Sequence, residues 1–93
     1  MYLKEPKWKE ECGIYGVYSG TEPVAEMTYL GLFALQHRGQ ESAGIALTDG
    51  YWIDVKKGMG LVSEVFGAHL PQLDNAKIAI GHVRYATTGF SLA

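Results

Sequence analysis

Cys12 is the only thiol in the chain, and it stands directly ahead of the glycine-rich apolar run Gly13-Ile14-Tyr15-Gly16-Val17-Tyr18. A lone cysteine is most often a small buried hydrophobe, but this position permits another use. If the Glu11-Cys12 bond is cut, Cys12 becomes a chain terminus whose α-amine has a reference pKa of about 7.7 to 8.0, beside a thiol near about 8.5. Such an amine can take the thiol proton at neutral pH, so the sulfur becomes a nucleophile without help from a histidine. A nucleophile also needs a substrate clamp, and Gly81-His82-Val83-Arg84-Tyr85-Ala86-Thr87-Thr88-Gly89 offers one. Arg84 follows an apolar run, where a guanidinium fork can hold a carboxylate by two parallel hydrogen bonds. Thr87 and Thr88 add hydroxyls, and Gly89 gives a tight exit. Taken alone, Arg84 reads equally well as an arginine at a strand end that reaches water. His37, His69 and His82 have no Cys or Asp at ligand spacing, which argues against a metal site. Gly58, Gly60 and Gly67 form no phosphate-binding fingerprint, since no Lys-Ser/Thr follows them.

The elements that must position these groups are mixed. Gly13 to Tyr18 is apolar on both alternate faces and reads as a strand covered on both sides. Thr21 is a candidate N-cap with Pro23 in the first turn, and Val24, Met27, Leu30, Gly31, Ala34 and Leu35 recur at helical spacing, which predicts a helix from about 22 to 35. His37 to Ser42 reads as a polar loop with Gly39 in its middle. Ala43 to Thr48, the pair Asp49-Gly50, and Tyr51 to Lys56 predict a hairpin with a two-residue turn. Leu61 to Phe66 reads as a short helix. Lys77 to Arg84 reads as a strand with Ile78, Ile80, His82 and Arg84 on one face and Ala79, Gly81, Val83 and Tyr85 on the other. Strand, helix, hairpin and strand in that order give an α+β fold with a largely antiparallel sheet.

Composition bounds what such a chain can be. Its 93 residues allow one domain at most. With 47% hydrophobic and 19% charged residues and a net charge of −2, disorder is excluded and nucleic acid is disfavoured as the main partner, for want of a basic excess. No apolar run reaches the roughly 18 residues of a membrane span, the N-terminus lacks a secretory h-region, and a single cysteine fits a reducing cytoplasm. One internal boundary is sharp. Six of the first eleven residues are charged, and all 12 glycines lie after position 12. Residues 1–11 therefore read as a leader and 12–93 as the folded portion.

Four stretches together, Cys12-Gly13-Ile14-Tyr15-Gly16-Val17, Gly31 to Ala46 with its Gln36-His37-Arg38-Gly39-Gln40-Glu41-Ser42 centre, Gly60 to Phe66, and Gly81 to Gly89, closely resemble the glutaminase domain of the amidophosphoribosyltransferase family. Their order makes the resemblance specific, and it covers nearly everything outside the leader. Hexosamine-forming synthases of the same N-terminal-nucleophile class usually carry Tyr-Arg-Gly-Tyr-Asp and Thr-Arg-Trp-Ala-Thr at the corresponding places, so His37-Arg38-Gly39-Gln40 and Val83-Arg84-Tyr85-Ala86-Thr87 favour the purine family.

The resemblance implies a four-layer αββα sandwich, of which this chain supplies part. It implies that Cys12 attacks the side-chain amide of glutamine, releasing ammonia and leaving a thioester that water hydrolyses. Arg84 would bind the glutamine α-carboxylate, Tyr85 and Thr87 would shape the same pocket, and the Arg38-Gly39 loop would pack beside the nucleophile. It implies removal of the leader. The parent, a homo-oligomer, would convert phosphoribosyl pyrophosphate to 5-phosphoribosylamine with magnesium and often an iron–sulfur cluster, all in segments absent here; one cysteine cannot build a cluster. The family's Asn-Gly oxyanion pair, its amine-binding Asp and the phosphoribosyltransferase domain fall beyond the equivalent of Ala93, and Phe90 and Leu92 depart from the usual small polar residues. The chain is thus expected to be inactive alone. The alternatives are a non-catalytic interaction fragment and a piece of another amidotransferase of the class.

Overall fold

The computed structural model describes residues 12–36 and 39–85. Four strands, β1 (Cys12–Tyr18), β2 (Gln40–Thr48), β3 (Ile53–Met59) and β4 (Ile78–Tyr85), and two helices, α1 (Val24–Leu35) and α2 (Val62–Val65), follow the predicted succession. The strands form one sheet in the order β1-β4-β2-β3, and every pairing is antiparallel. β4, last in sequence, lies between β1 and β2. Its alternation holds: Ala79, Gly81, Val83 and Tyr85 are buried, while Ile78, Ile80, His82 and Arg84 are exposed.

The buried face packs against α1. Val24, Thr28 and Leu32 descend one side of the helix onto the sheet, and Leu32, Ile45, Leu47 and Val83 fill the centre. This stripe differs from the expected one. Thr28 is polar by type yet fully buried, because its hydroxyl donates to the Val24 carbonyl one turn back at 2.7 Å and needs no other partner. Leu30 and Ala34, placed on the packing side by spacing, lie outward. The expected Thr21 cap is also absent. Pro23 is the N-cap residue with no side-chain cap bond, and Ser19 Oγ shapes the approach by accepting the Thr21 and Glu22 N–H groups.

The hairpin forms with a longer turn than predicted. The last pair is Thr48↔Ile53, so four residues connect the strands. The Asp49 carboxylate accepts the N–H groups of both Tyr51 and Trp52 at 2.8 Å, and Gly50 takes the left-handed conformation at φ 103°. One carboxylate capturing two amides fixes this wider turn where Asp-Gly alone favours a two-residue one. Those bonds, Trp52 foremost, hold the Asp49 carboxyl below its ordinary 3.8. A lowered folded-state pKa gives a contribution present above the unfolded value and lost as pH falls through the folded one. Acidification below about pH 4 should therefore lower the exchange protection of the Tyr51 and Trp52 amides relative to their intrinsic rates, whereas Asp49→Asn should leave that protection flat across the same range; NMR protection factors check both.

The far side of the sheet is uncovered by the described residues. Tyr18, Ile78 and Ile53 lie in one cross-strand row of it, Ile80 and Val55 in the next, and all are exposed. By the described residues, β1 is consequently covered on one face, not both. Helix and sheet account for two of the expected four layers, and this apolar face has the alternating pattern of a sheet that stacks on another at about 10 Å.

Candidate active site

The strand register assembles the site at one end of the uncovered face. Cys12 on β1 lies opposite Arg84 on β4, and Arg84 lies opposite Ser42 on β2. These three side chains form a row across adjacent strands, with Met59 of β3 next to Ser42. Two groups 72 positions apart in sequence thereby become neighbours. Cys12 is exposed with a free thiol, and Arg84 is exposed as well, with an ion pair from its Nε to Glu41 Oε2 at 3.5 Å. A thiol and a guanidinium on one open row are chemically complementary to a small substrate with an electrophilic carbonyl at one end and a carboxylate at the other.

Behind the row stands Tyr85. Its side chain turns to the helix face, and its hydroxyl donates to the carbonyl of Leu35, the last residue of α1. Burial, and secondarily the nearby Cys12, raise its pKa above the ordinary 10.0. Tyr85 thus fastens the end of α1 beneath β1. Gly39 is exposed with φ 95° and leads into β2. Arg38 and Thr87 lie outside the described residues, as do His37 and the Thr88-Gly89 exit.

Three polar residues that sequence reasoning left in a loop, Gln40, Glu41 and Ser42, belong to β2 at this site. β2 begins at Gln40, and a register break between Gln40 and Ser42 marks a bulge at Glu41. Gln40 is buried and fully engaged: its Nε2 donates to the Ser42 and Gly60 carbonyls at 2.9 Å, and its Oε1 accepts the Val62 N–H at 3.0 Å. Gln36 Oε1 accepts the next amide, Ser63 N–H, at 3.1 Å. The stems on both sides of residues 37–39 therefore rest on the start of α2. The available signal was the run Ala43 to Thr48, which continues backwards without a breaker as far as Gln40.

No group of three or more His, Cys, Asp or Glu side chains suited to a metal occurs among the described residues. The single cysteine cannot supply the four thiolates of an iron–sulfur cluster, so this chain's residues do not fit that group. Among the described residues no helix is long and apolar enough to cross a membrane.

An antiparallel sheet with one face covered by helix has the fold of an N-terminal-nucleophile amidotransferase domain, and solved structures agree in fold. The Bacillus subtilis glutamine phosphoribosylpyrophosphate amidotransferase, solved with ADP and GMP, superposes at a TM-score of 0.65 and 49% identity, covering 80% of this chain and 16% of that one. No family model matches. Curated sequences extend the likeness: the amidophosphoribosyltransferase of Mycobacterium tuberculosis is 54% identical over 81 residues, 87% of this chain and 15% of that protein. That of Synechococcus elongatus is 51% identical over 90 residues, 96% of this chain and 18% of that protein. Over this matched stretch the chain belongs to the amidophosphoribosyltransferase family, and it spans less than a fifth of the length of the curated relatives it matches.

Proposed function

We propose that this chain supplies the nucleophile and the carboxylate clamp of a glutamine amidotransferase. The observation that carries the reading is the Cys12–Arg84 pairing on the open face. Cleavage of Glu11-Cys12 frees the Cys12 α-amine, which takes the thiol proton as Sγ attacks the glutamine side-chain carbonyl carbon. Collapse of the tetrahedral adduct breaks the C–N bond, and the α-ammonium returns the proton to the departing ammonia. Water then hydrolyses the thioester, releasing glutamate and restoring the thiol. Arg84 holds the substrate α-carboxylate so that its amide carbon meets Sγ. Residues 1–11 act as the leader, and 12–93 form the first part of the glutaminase domain. The ammonia serves phosphoribosylamine synthesis from phosphoribosyl pyrophosphate, with magnesium, in a phosphoribosyltransferase domain outside this sequence and in the reducing cytoplasm that a working thiol requires.

A chimera tests this directly. Residues 1–93 replace the matched stretch of the Bacillus subtilis enzyme, which supplies the oxyanion and amine-binding parts. Ammonia-dependent phosphoribosylamine synthesis reports that the chimera is folded. The expected result is glutamate release from glutamine by a mature product whose first residue is Cys12. Folded chimera without glutamate release, or release by a product that still begins at Met1, overturns the reading.

A further inference from the structure

We infer that Glu41 is a positioning residue that sets the guanidinium of Arg84 for carboxylate binding; the inference rests on the clamp assigned to Arg84 above. In a regular antiparallel strand successive side chains alternate faces. Gln40 faces the helix side opposite Tyr85, and Ser42 faces the open side opposite Arg84. Glu41 is the extra residue between them, and a bulge at such a point turns two consecutive side chains toward the same face. The consequence is visible: the Glu41 carboxylate reaches Arg84 Nε on the open side at 3.5 Å. Bulges recur beside active sites because they re-aim a side chain in this way.

The bulge is held by bonds that a decorative surface pair does not need. The Glu41 carbonyl accepts the Gly60 N–H at 2.6 Å, and Gln40 ties the Ser42 carbonyl to Gly60 and Val62 through three bonds of its own buried amide. The backbone on both sides of Glu41 is therefore fixed from within. The ion pair itself joins side chains 58% and 40% exposed, so it adds little to stability. Its effect is orientation. Arg84 has a flexible stem, and a carboxylate at Nε restricts it while the edge formed by the two terminal nitrogens keeps the fork geometry for a second carboxylate.

The full 93-residue chain, isotope-labelled, provides the test. The Arg84 Nε–H signal is followed by NMR during titration with L-glutamine, and unfolding is followed by heating. Glu41→Gln is expected to speed exchange of the Arg84 Nε–H and raise the L-glutamine Kd about tenfold, with the unfolding midpoint unmoved; Glu41→Asp is expected to restore part of the loss. Arg84→Gln, in which binding is followed by the backbone amide signals of Cys12 and Ser42 instead, is expected to abolish glutamine binding. Wild-type exchange and affinity in Glu41→Gln, or tighter glutamine binding because Glu41 had merely competed for the arginine, overturns the positioning role while the clamp stands. Arg84→Gln binding like the wild type, or a wild-type Arg84 signal that glutamine never moves, overturns the clamp and this inference with it.

Discussion

Cys12→Ser in the chimera is expected to remove glutamine-dependent turnover by at least about 10⁴-fold, while ammonia-dependent synthesis continues at the unsubstituted rate. The substitution is nearly isosteric, so the contrast isolates acidity. An α-amine with a pKa near about 8 can take the proton of a thiol near about 8.5, whereas an alcohol lies far above that range, and the same amine leaves serine protonated. Cys12 is exposed, so its exchange for serine opens no cavity, and the unfolding midpoint of the 93-residue chain should move by no more than a neutral surface change does. The measurement is paired: glutamate release with glutamine, and phosphoribosylamine formation with ammonium salt. Loss of both activities would place Cys12 in the structure rather than the chemistry. Retention of glutamate release would move the nucleophile elsewhere, and no other thiol exists in the sequence to receive it.

That both residues of the proposed chemistry could be named from sequence, while their adjacency could not, has a physical reason. Cys12 and Arg84 declare themselves by type and by the apolar runs they border. Their adjacency depends on β4 inserting between β1 and β2, a pairing of segments some sixty residues apart that no local pattern encodes. β4 itself was legible because strict alternation over Ile78–Tyr85 matches one buried and one open face. The start of β2 was not. Gln40, Glu41 and Ser42 are polar in a row, as in a loop, and only the structure shows Gln40 burying its amide against α2 and Glu41 standing in a bulge. The same kind of local capture moved the hairpin turn, where Asp49 binds two amides, and relocated the packing stripe of α1, where Thr28 hides its hydroxyl on Val24. In each case a polar side chain satisfied by backbone acted against its residue type.

Gly81→Val is expected to be the most damaging single change to the fold, by about 3 kcal/mol or more. A Cβ at position 81 would lie 2.7 Å from Thr28 Cγ2 and 2.8 Å from Leu32 Cδ1, and both neighbours are fully buried. Thr28 is further pinned by its bond to Val24, so relief requires α1 to lift from β4, and valine adds two methyls to the clash. Gly31→Ala meets the Tyr15 ring at 2.5 Å, but Tyr15 is half-buried and can swing outward, so its cost should be the smaller, about 1 to 2 kcal/mol. Gly20→Ala, with nothing within 4 Å, serves as the neutral reference at about ±0.5 kcal/mol. Denaturant titration of the three variants orders them. Combining Gly81→Ala with Gly31→Ala should cost less than the two separately, since the helix lift that Gly81→Ala forces also draws Gly31 away from the Tyr15 ring. A strictly additive pair would mean that the sheet, not the helix, yields. The displacement matters beyond stability because Leu35, at the end of α1, is where Tyr85 anchors behind Cys12. A lifted helix loosens that anchor, so Gly81→Ala in the chimera should lower glutamate release while the ammonia-dependent reaction, which does not pass through Cys12, holds.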